Sequence, residues 1–171
     1  MKFDYPNWSS VHHPHWKALL DKHLDLTQSV RMVEVGCFEG RSTVWFADYL
    51  AHHGRSRLIC IDSWMGGEEV KCANLGFDMN QVFCNFWDNI QSHPQRDQIF
   101  MHRGKSEHML GQLMHRDVGT YDFVYLDGSH TQRDTLVDLT VAILLIRKGG
   151  LIIVDDYMNN MATDNPKLRL S

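Results

Sequence analysis

Acidic residues in this chain stand where apolar runs end. "GLIIVDDY" runs into Asp155 and Asp156, "FVYLDGSH" into Asp127, "LICID" into Asp62, and "RMVEVG" carries Glu34 just before Gly36. A carboxylate beside a buried segment is costly unless it is solvated, paired or bound to a cation. The stretch "VEVGCFEGRST" adds a second chemical signal. Gly36 and Gly40 stand four apart, and glycines there permit a tight turn and close approach of a ligand to the backbone. A helix opening after that turn offers free N–H groups.

Asp62 ends the next apolar run, 22 residues after Gly40. An acid at that place in a strand–turn–helix unit accepts hydrogen bonds from both hydroxyls of a ribose. Alone, the glycines read as a structural turn and Asp62 as a cap or surface acid. Together they favour nucleoside binding. A dinucleotide fingerprint requires three glycines, whereas here Phe38 and Glu39 occupy the turn. Glu34 and Glu39 suit a ligand with positive charge, and S-adenosylmethionine, with its sulfonium and ammonium groups, has that polarity.

These residues need a scaffold that gathers them. Apolar spacing predicts helices over 15–24, 41–54, 81–91, 106–116 and 131–150, with short strands over 31–36, 57–62, 98–104, 121–127 and 151–156. Ser106 is expected to cap its helix, and Thr131 to open a capping box with Asp134. Gly54 is expected to end the second helix, and Arg147 and Lys148 to complement the dipole of the last helix before Gly149. Alternating strands and helices give an α/β fold, a doubly wound, mainly parallel sheet with helices on both faces. Ligands then bind at the carboxyl ends of the strands, where these acids gather along one rim.

The 171 residues are 43% hydrophobic, enough for one domain with a substantial core. Net charge is −4 and Lys/Arg are scattered, which argues against nucleic-acid binding. No apolar run approaches a membrane span, and "MKFDYPNWSS" lacks the apolar region of a secretory signal. The four cysteines form no CxxC pair, so reduced thiols in a cytoplasmic protein are expected.

"VEVGCFEGRST", "LICIDSW", "FVYLDGSH" and "GGLIIVDDY" resemble motifs of class I S-adenosylmethionine-dependent methyltransferases. More narrowly, they resemble the small metal-dependent O-methyltransferases of the macrocin and aminocoumarin-sugar type, with catechol-type enzymes as cousins. The likeness covers roughly residues 30–157 and implies a Rossmann-like methyltransferase fold. It implies that Glu34 and Gly36 hold the methionine part, Asp62 the ribose, and Gly104 to Ser106 the adenine, with Ser42 and Thr43 near the carboxylate. Cys37, Gly40, Ser63 and Asp127 complete the implied cofactor set. It further implies Mg²⁺ on Asp127, Asp155 and Asp156, with His130 in the slot of a catalytic lysine and acting with Asp127 in catalysis. A solvated loop for the paired aspartates, and a purely local hydrogen bond for His130, remain the bland alternatives.

The implied reaction is methyl transfer to a small-molecule hydroxyl, on a sugar or a phenol. A metal-independent N-methyltransferase and a non-catalytic S-adenosylmethionine-binding module are the alternatives. Residues 1–29 read as an N-terminal helical cap, residues 30–171 as the methyltransferase domain, and 63–97 as an insertion capping the substrate. "HHPHW" reads as a surface segment, and Phe83, Phe86 and Trp87 as core or lid. The stretch after the fifth strand is too short for the antiparallel pair that such folds usually carry, so that pair is expected to be missing or truncated. An exposed fifth-strand edge is compatible with a homodimer.

Overall fold

A computed structural model of the chain describes residues 1–67 and 76–155. Cys72, Asp156 and the stretch after the fifth strand lie outside those residues. The elements run α1 (His13–His23), β1 (Arg31–Val35), α2 (Arg41–Leu50), β2 (Arg57–Asp62), α3 (Met79–Gln91), a 3-10 turn (Arg96–Gln98), β3 (Ile99–Arg103), α4 (Ser106–Met114), β4 (Tyr121–Leu126), α5 (Gln132–Leu145) and β5 (Ile146–Val154). The strands form one parallel sheet in the order β3-β2-β1-β4-β5. Parallel neighbours need long crossovers, and right-handed crossovers lay their helices on both faces. The winding reverses between β1 and β4, so the loops after those strands diverge and open a crevice at the carboxyl edge.

Side chains alternate along each strand and feed two cores. Met32, Leu58, Cys60, Phe123 and Tyr125 join Trp16, Leu20, Phe46, Leu50 and Phe86 from α1, α2 and α3. Val33, Val35, Ile61, Val124 and Leu126 join Leu110, Leu113, Ala142 and Leu145 from α4 and α5. Burying a side chain such as Phe46 or Phe123 stabilises by about 1.5–3 kcal/mol. Among the described residues, no helix is long and apolar enough to cross a membrane.

Several helix ends differ from expectation, each for a local reason. α2 stops at Leu50, short of Gly54, because Ser56 Oγ donates to the Leu50 carbonyl and Gln98 Nε2 to that of Ala51. α5 stops at Leu145, and Arg147 lies in β5 rather than at the helix end. The carbonyls of Leu144 and Leu145 accept instead from the backbone N–H groups of Gly119 and Thr120. Arg147 Nε donates to Asp122 Oδ1 on β4 at 2.6 Å. Ser106 is the first helical residue of α4 and Lys105 its N-cap, so the serine does not cap that helix. Thr131 does cap α5, accepting from the Asp134 N–H at 3.3 Å. Asp78 caps α3, which begins two residues earlier than the apolar spacing implies.

Candidate active site

The turn after β1 is built by two glycines and one acid. Gly36 has φ +85°, and a Cβ there would stand 1.9 Å from the Asp127 carbonyl oxygen, so only glycine lets the turn lie against the end of β4. Gly40 has φ +82°, and its Cβ would meet the Phe86 ring at 2.9 Å. Between them Phe38 takes φ +50°, a conformation that costs a non-glycine residue about 1–2 kcal/mol. Asp62 holds it there. Its Oδ2 accepts from the N–H groups of Cys37 at 2.9 Å and Phe38 at 3.0 Å, while Oδ1 accepts from Trp64 N–H at 2.7 Å. The Trp64 indole N–H closes the loop by donating to the Phe38 carbonyl at 2.8 Å.

Two buried acids of this region have their carboxylates engaged inside the protein, although Glu39 forms part of the cavity wall. Glu34 is buried on the α2 side of the sheet, in register with Cys60 on β2 and Tyr125 on β4. Ser42 Oγ and Thr43 Oγ1 each donate to its carboxylate at 2.5 Å. Burial pushes its carboxyl up to about 7, and the two hydroxyls offset part of that rise. Glu39 accepts from the N–H groups of Asp4 and Tyr5 and from Asn85 Nδ2, at 2.9, 3.1 and 2.7 Å. The expectation that Glu34 and Glu39 offer negative charge to a ligand is therefore corrected. Glu34 anchors the start of α2, and Glu39 ties an N-terminal strap and α3 to the turn.

The crevice at the strand ends holds a cavity of about 850 Å³. Gly36, Cys37, Ser42, Asp62, Ser63, Gly104, Ser106, Asp127, His130 and Asp155 line it, all of them singled out from the sequence. Glu34, Gly40 and Thr43 are not among its lining residues and stand behind that wall. Backbone bonds fix the common edge. Gly36 N–H donates to Ile61 O, Gly104 N–H to Asp62 O, Asp127 N–H to Val35 O, and Asp155 N–H to Leu126 O. Acids distant in the chain are thus brought to one rim. The lining holds more carboxylates than fixed cations, a balance that suits a cationic ligand.

Tyr125 joins the far part of that rim. Its buried hydroxyl lies 3.2 Å from Asp127 Oδ2 and also contacts Asp155 Oδ2. One phenolic proton thus serves two carboxylates. Burial, with the charges of Asp127 and Asp155, holds the phenol well above its ordinary range, so it remains a donor. His130 Nε2 stands 4.0 Å from Asp127 Oδ1. Hard oxygen donors converging this closely fit Mg²⁺, whose charge relieves their mutual repulsion. Glu34, Cys37 and Cys60 also bring potential ligand atoms within 4.8 Å of one another. That set suits a thiophilic ion better than Mg²⁺, because thiolates are soft ligands. Burial raises the Cys37 thiol, and the Cys60 thiol is raised too, its bond with Cys37 being outweighed by burial and the Glu34 charge, which disfavours the thiolate form.

Sequence reasoning missed two contributors. Tyr125 precedes Asp127 by two residues, the spacing that puts both on one face of a strand. Asp138 interrupts the apolar helix "LVDLTVAILL" and is buried beside the cavity. Trp8, one of two N-terminal tryptophans that could touch substrate, does line the cavity and packs on Phe38 and Phe77 at ring distances of 5.5 and 6.0 Å, whereas Trp16 is buried in the core.

A family model described as a methyltransferase domain matches residues 33–157. A relative from Dictyostelium discoideum, named "Probable caffeoyl-CoA O-methyltransferase 1", is 24% identical over 166 residues, covering 88% of this chain and 64% of the relative. The chain thus spans just under two-thirds of the length of the curated relatives it matches. Among solved structures, an O-methyltransferase from Bacillus cereus in complex with SAH superposes with a TM-score of 0.68 at 18% identity, over 94% of this chain and 63% of the other. A mycinamycin-pathway methyltransferase, in complex with Mg, SAH and mycinamycin VI, superposes with a TM-score of 0.58 at 17% identity, over 97% of this chain and 40% of the other.

Proposed function

The chain belongs to the methyltransferase-domain family, and from that premise we propose that it moves the methyl group of S-adenosylmethionine to a hydroxyl of a small phenol or sugar. One observation carries the reading. A single cavity has the glycine turn and Asp62 on one side and Asp127, His130 and Asp155 on the other. A sulfonium nucleoside and a hydroxyl-bearing acceptor can therefore meet inside it. The names of the relatives support a hydroxyl acceptor.

In this reading the ribose sits against Asp62, the base toward Gly104 and Ser106, and the sulfonium toward Asp127. Asp127 and Asp155 would hold Mg²⁺, with Asp156 as their sequence neighbour outside the described residues. Such an ion supplies Lewis-acid stabilisation of the acceptor oxygen. His130 Nε2 takes the proton of the acceptor hydroxyl, and Asp127 stabilises the resulting imidazolium. The acceptor oxygen then forms its bond to the methyl carbon as the carbon–sulfur bond breaks, its electron pair staying on sulfur. Removing a well-placed general base costs about 10²–10⁴ in rate.

The test has two stages. Calorimetry with S-adenosylhomocysteine and NAD should give binding heat for the first alone, with a Kd of about 1–100 μM. Transfer of labelled methyl from S-adenosylmethionine to a panel of catechols and sugars should then fall at least about 100-fold in His130→Ala. Binding of NAD in place of S-adenosylhomocysteine would defeat the reading. Full turnover by His130→Ala would remove the histidine from its role.

A further inference from the structure

Behind the turn after β1, three ionisable side chains meet in the interior. Glu34 on β1, Cys37 in the turn and Cys60 on β2 each bring one potential ligand atom within 4.8 Å of the others, and all three are buried. Glu34 and Cys60 are partners in the parallel register, and Cys60 Sγ lies 3.8 Å from Glu34 Oε2. Cys37 Sγ lies 3.6 Å from the Ile61 carbonyl oxygen. Cys37 also lines the cavity, whereas Glu34 and Cys60 stand behind its wall. The proposed reaction uses none of these three side chains.

A buried cysteine often serves as a small apolar side chain. A carboxylate beside two of them changes the balance, because an apolar residue would fill the same space without the cost of desolvation. Ser42 Oγ and Thr43 Oγ1, at the start of α2, donate to the two oxygens of that carboxylate at 2.5 Å. Ligating carboxylates are oriented in this way by hydrogen bonds behind the ion. The distances also fit one ion. Four-coordinate zinc, about 2.3 Å from sulfur and about 2.0–2.2 Å from oxygen, sets sulfurs about 3.8 Å apart and sulfur about 3.6 Å from oxygen. The two sulfurs need to approach by at most about 1 Å, and Cys60 Sγ to close on Glu34 Oε2 by about 0.2 Å.

We propose that Glu34, Cys37 and Cys60 form a second metal site, a set of two thiols and a carboxylate that takes a thiophilic divalent ion, Zn²⁺ foremost. It shares no residue with the oxygen-rich rim suited to Mg²⁺. As the ion binds, two sulfur–metal bonds form and the two thiol protons leave to solvent through the cavity that Cys37 lines. Thiolates are soft ligands, so Mg²⁺ does not compete for this set. Water from the cavity completes the four-coordinate ion. Bound there, the ion ties β1, its turn and β2 together.

The experiment uses the full chain carrying Cys72→Ser and Cys84→Ser, which leaves Cys37 and Cys60 as its only thiols. Cys84 is exposed, and both removed thiols are outside the proposed set. Metal-free, reduced protein is titrated with Cd²⁺ in excess Mg²⁺, with far-ultraviolet circular dichroism as the check that it stays folded. A thiolate-to-cadmium charge-transfer absorption should grow up to one ion per chain and then stop, and excess Zn²⁺ should bleach it. Glu34→Gln keeps both thiols and should weaken Cd²⁺ binding at least about tenfold. Cys60→Ala removes a direct ligand and should weaken it at least about 100-fold. The absorption can arise only from Cys37 and Cys60, so it decides the matter even if a variant of a buried residue does not fold. No absorption from the folded chain overturns the proposal and leaves the two thiols as packing groups. An absorption that Zn²⁺ does not bleach, or an affinity indifferent to Glu34→Gln, overturns it too. Each of these failures leaves the methyl-donor reading intact, because S-adenosylhomocysteine binding is measured apart from them.

Discussion

Glu34 has a charge problem that its neighbours solve only in part. Two hydroxyls donate to it, yet its burial behind the turn dominates, and its carboxyl rises from the ordinary 4.5 to about 7. The folded chain therefore binds this proton more tightly than the unfolded one. Below about pH 4.5 both states are protonated and the group costs nothing. As pH climbs toward 7 the unfolded state ionises first, and stability falls by about 3 kcal/mol in all. Urea denaturation at about pH 5 and about pH 8 should show this loss in the wild type, with a visibly flatter profile in Glu34→Gln. Asp138 acts in the same direction, so the variant keeps some slope. Identical profiles for the two proteins would remove Glu34 as the cause. Tyr125→Phe tests the other end of the rim. It takes away the one proton that Asp127 and Asp155 share, and should lower stability by about 1–3 kcal/mol in the same assay.

Between residues and fold, the turn after β1 decides whether the elements meet. Gly36→Ala would drive a methyl group into the Asp127 carbonyl and should cost more than about 4 kcal/mol or prevent soluble expression. Gly54→Ala, with nothing within 4 Å of the added atom, should stay within about 0.5 kcal/mol of wild type. Comparable behaviour of the two variants would show that the turn tolerates movement. The strap gives a second prediction at this scale. Glu39→Ala leaves the N–H groups of Asp4 and Tyr5 and the amide of Asn85 without their acceptor. Hydrogen exchange at Asp4 and Tyr5 should quicken by at least about tenfold, and unchanged protection would mean that the strap is held elsewhere. Much of this level was legible in the residues. The order of strands and helices follows from apolar runs broken by glycine turns, and the Thr131 cap follows from a local pattern. Helix ends were less legible. α2 and α5 stop where Ser56, Gln98, Gly119 and Thr120 take their last carbonyls, and those partners come from other segments.

At the scale of the whole molecule, the sheet order turns scattered acids into one cavity. That convergence could be read in advance, because strand ends of a parallel sheet share an edge. Which acids face the cavity could not. Glu39 is itself part of the cavity wall, yet its carboxylate oxygens are taken by Asn85 and by a strap from the far N-terminus. A ligand filling the cavity would contact both sides of the winding reversal. It should therefore stabilise the fold as one unit. At 100 times its Kd, S-adenosylhomocysteine should add about 2.7 kcal/mol, seen as a rise of several degrees in Tm, and no rise at saturating ligand would contradict binding to the folded chain.

The indole of Trp64 has an optical consequence. It is 2% exposed, and its N–H is tied to the carbonyl of Phe38 in the very turn a nucleoside would touch. Any ligand that displaces that carbonyl alters the polarity around a fluorophore buried just behind the cavity wall that Phe38 forms. Emission from a chain keeping Trp64 alone of its five tryptophans should then shift on titration, a built-in optical signal for occupancy that needs no label.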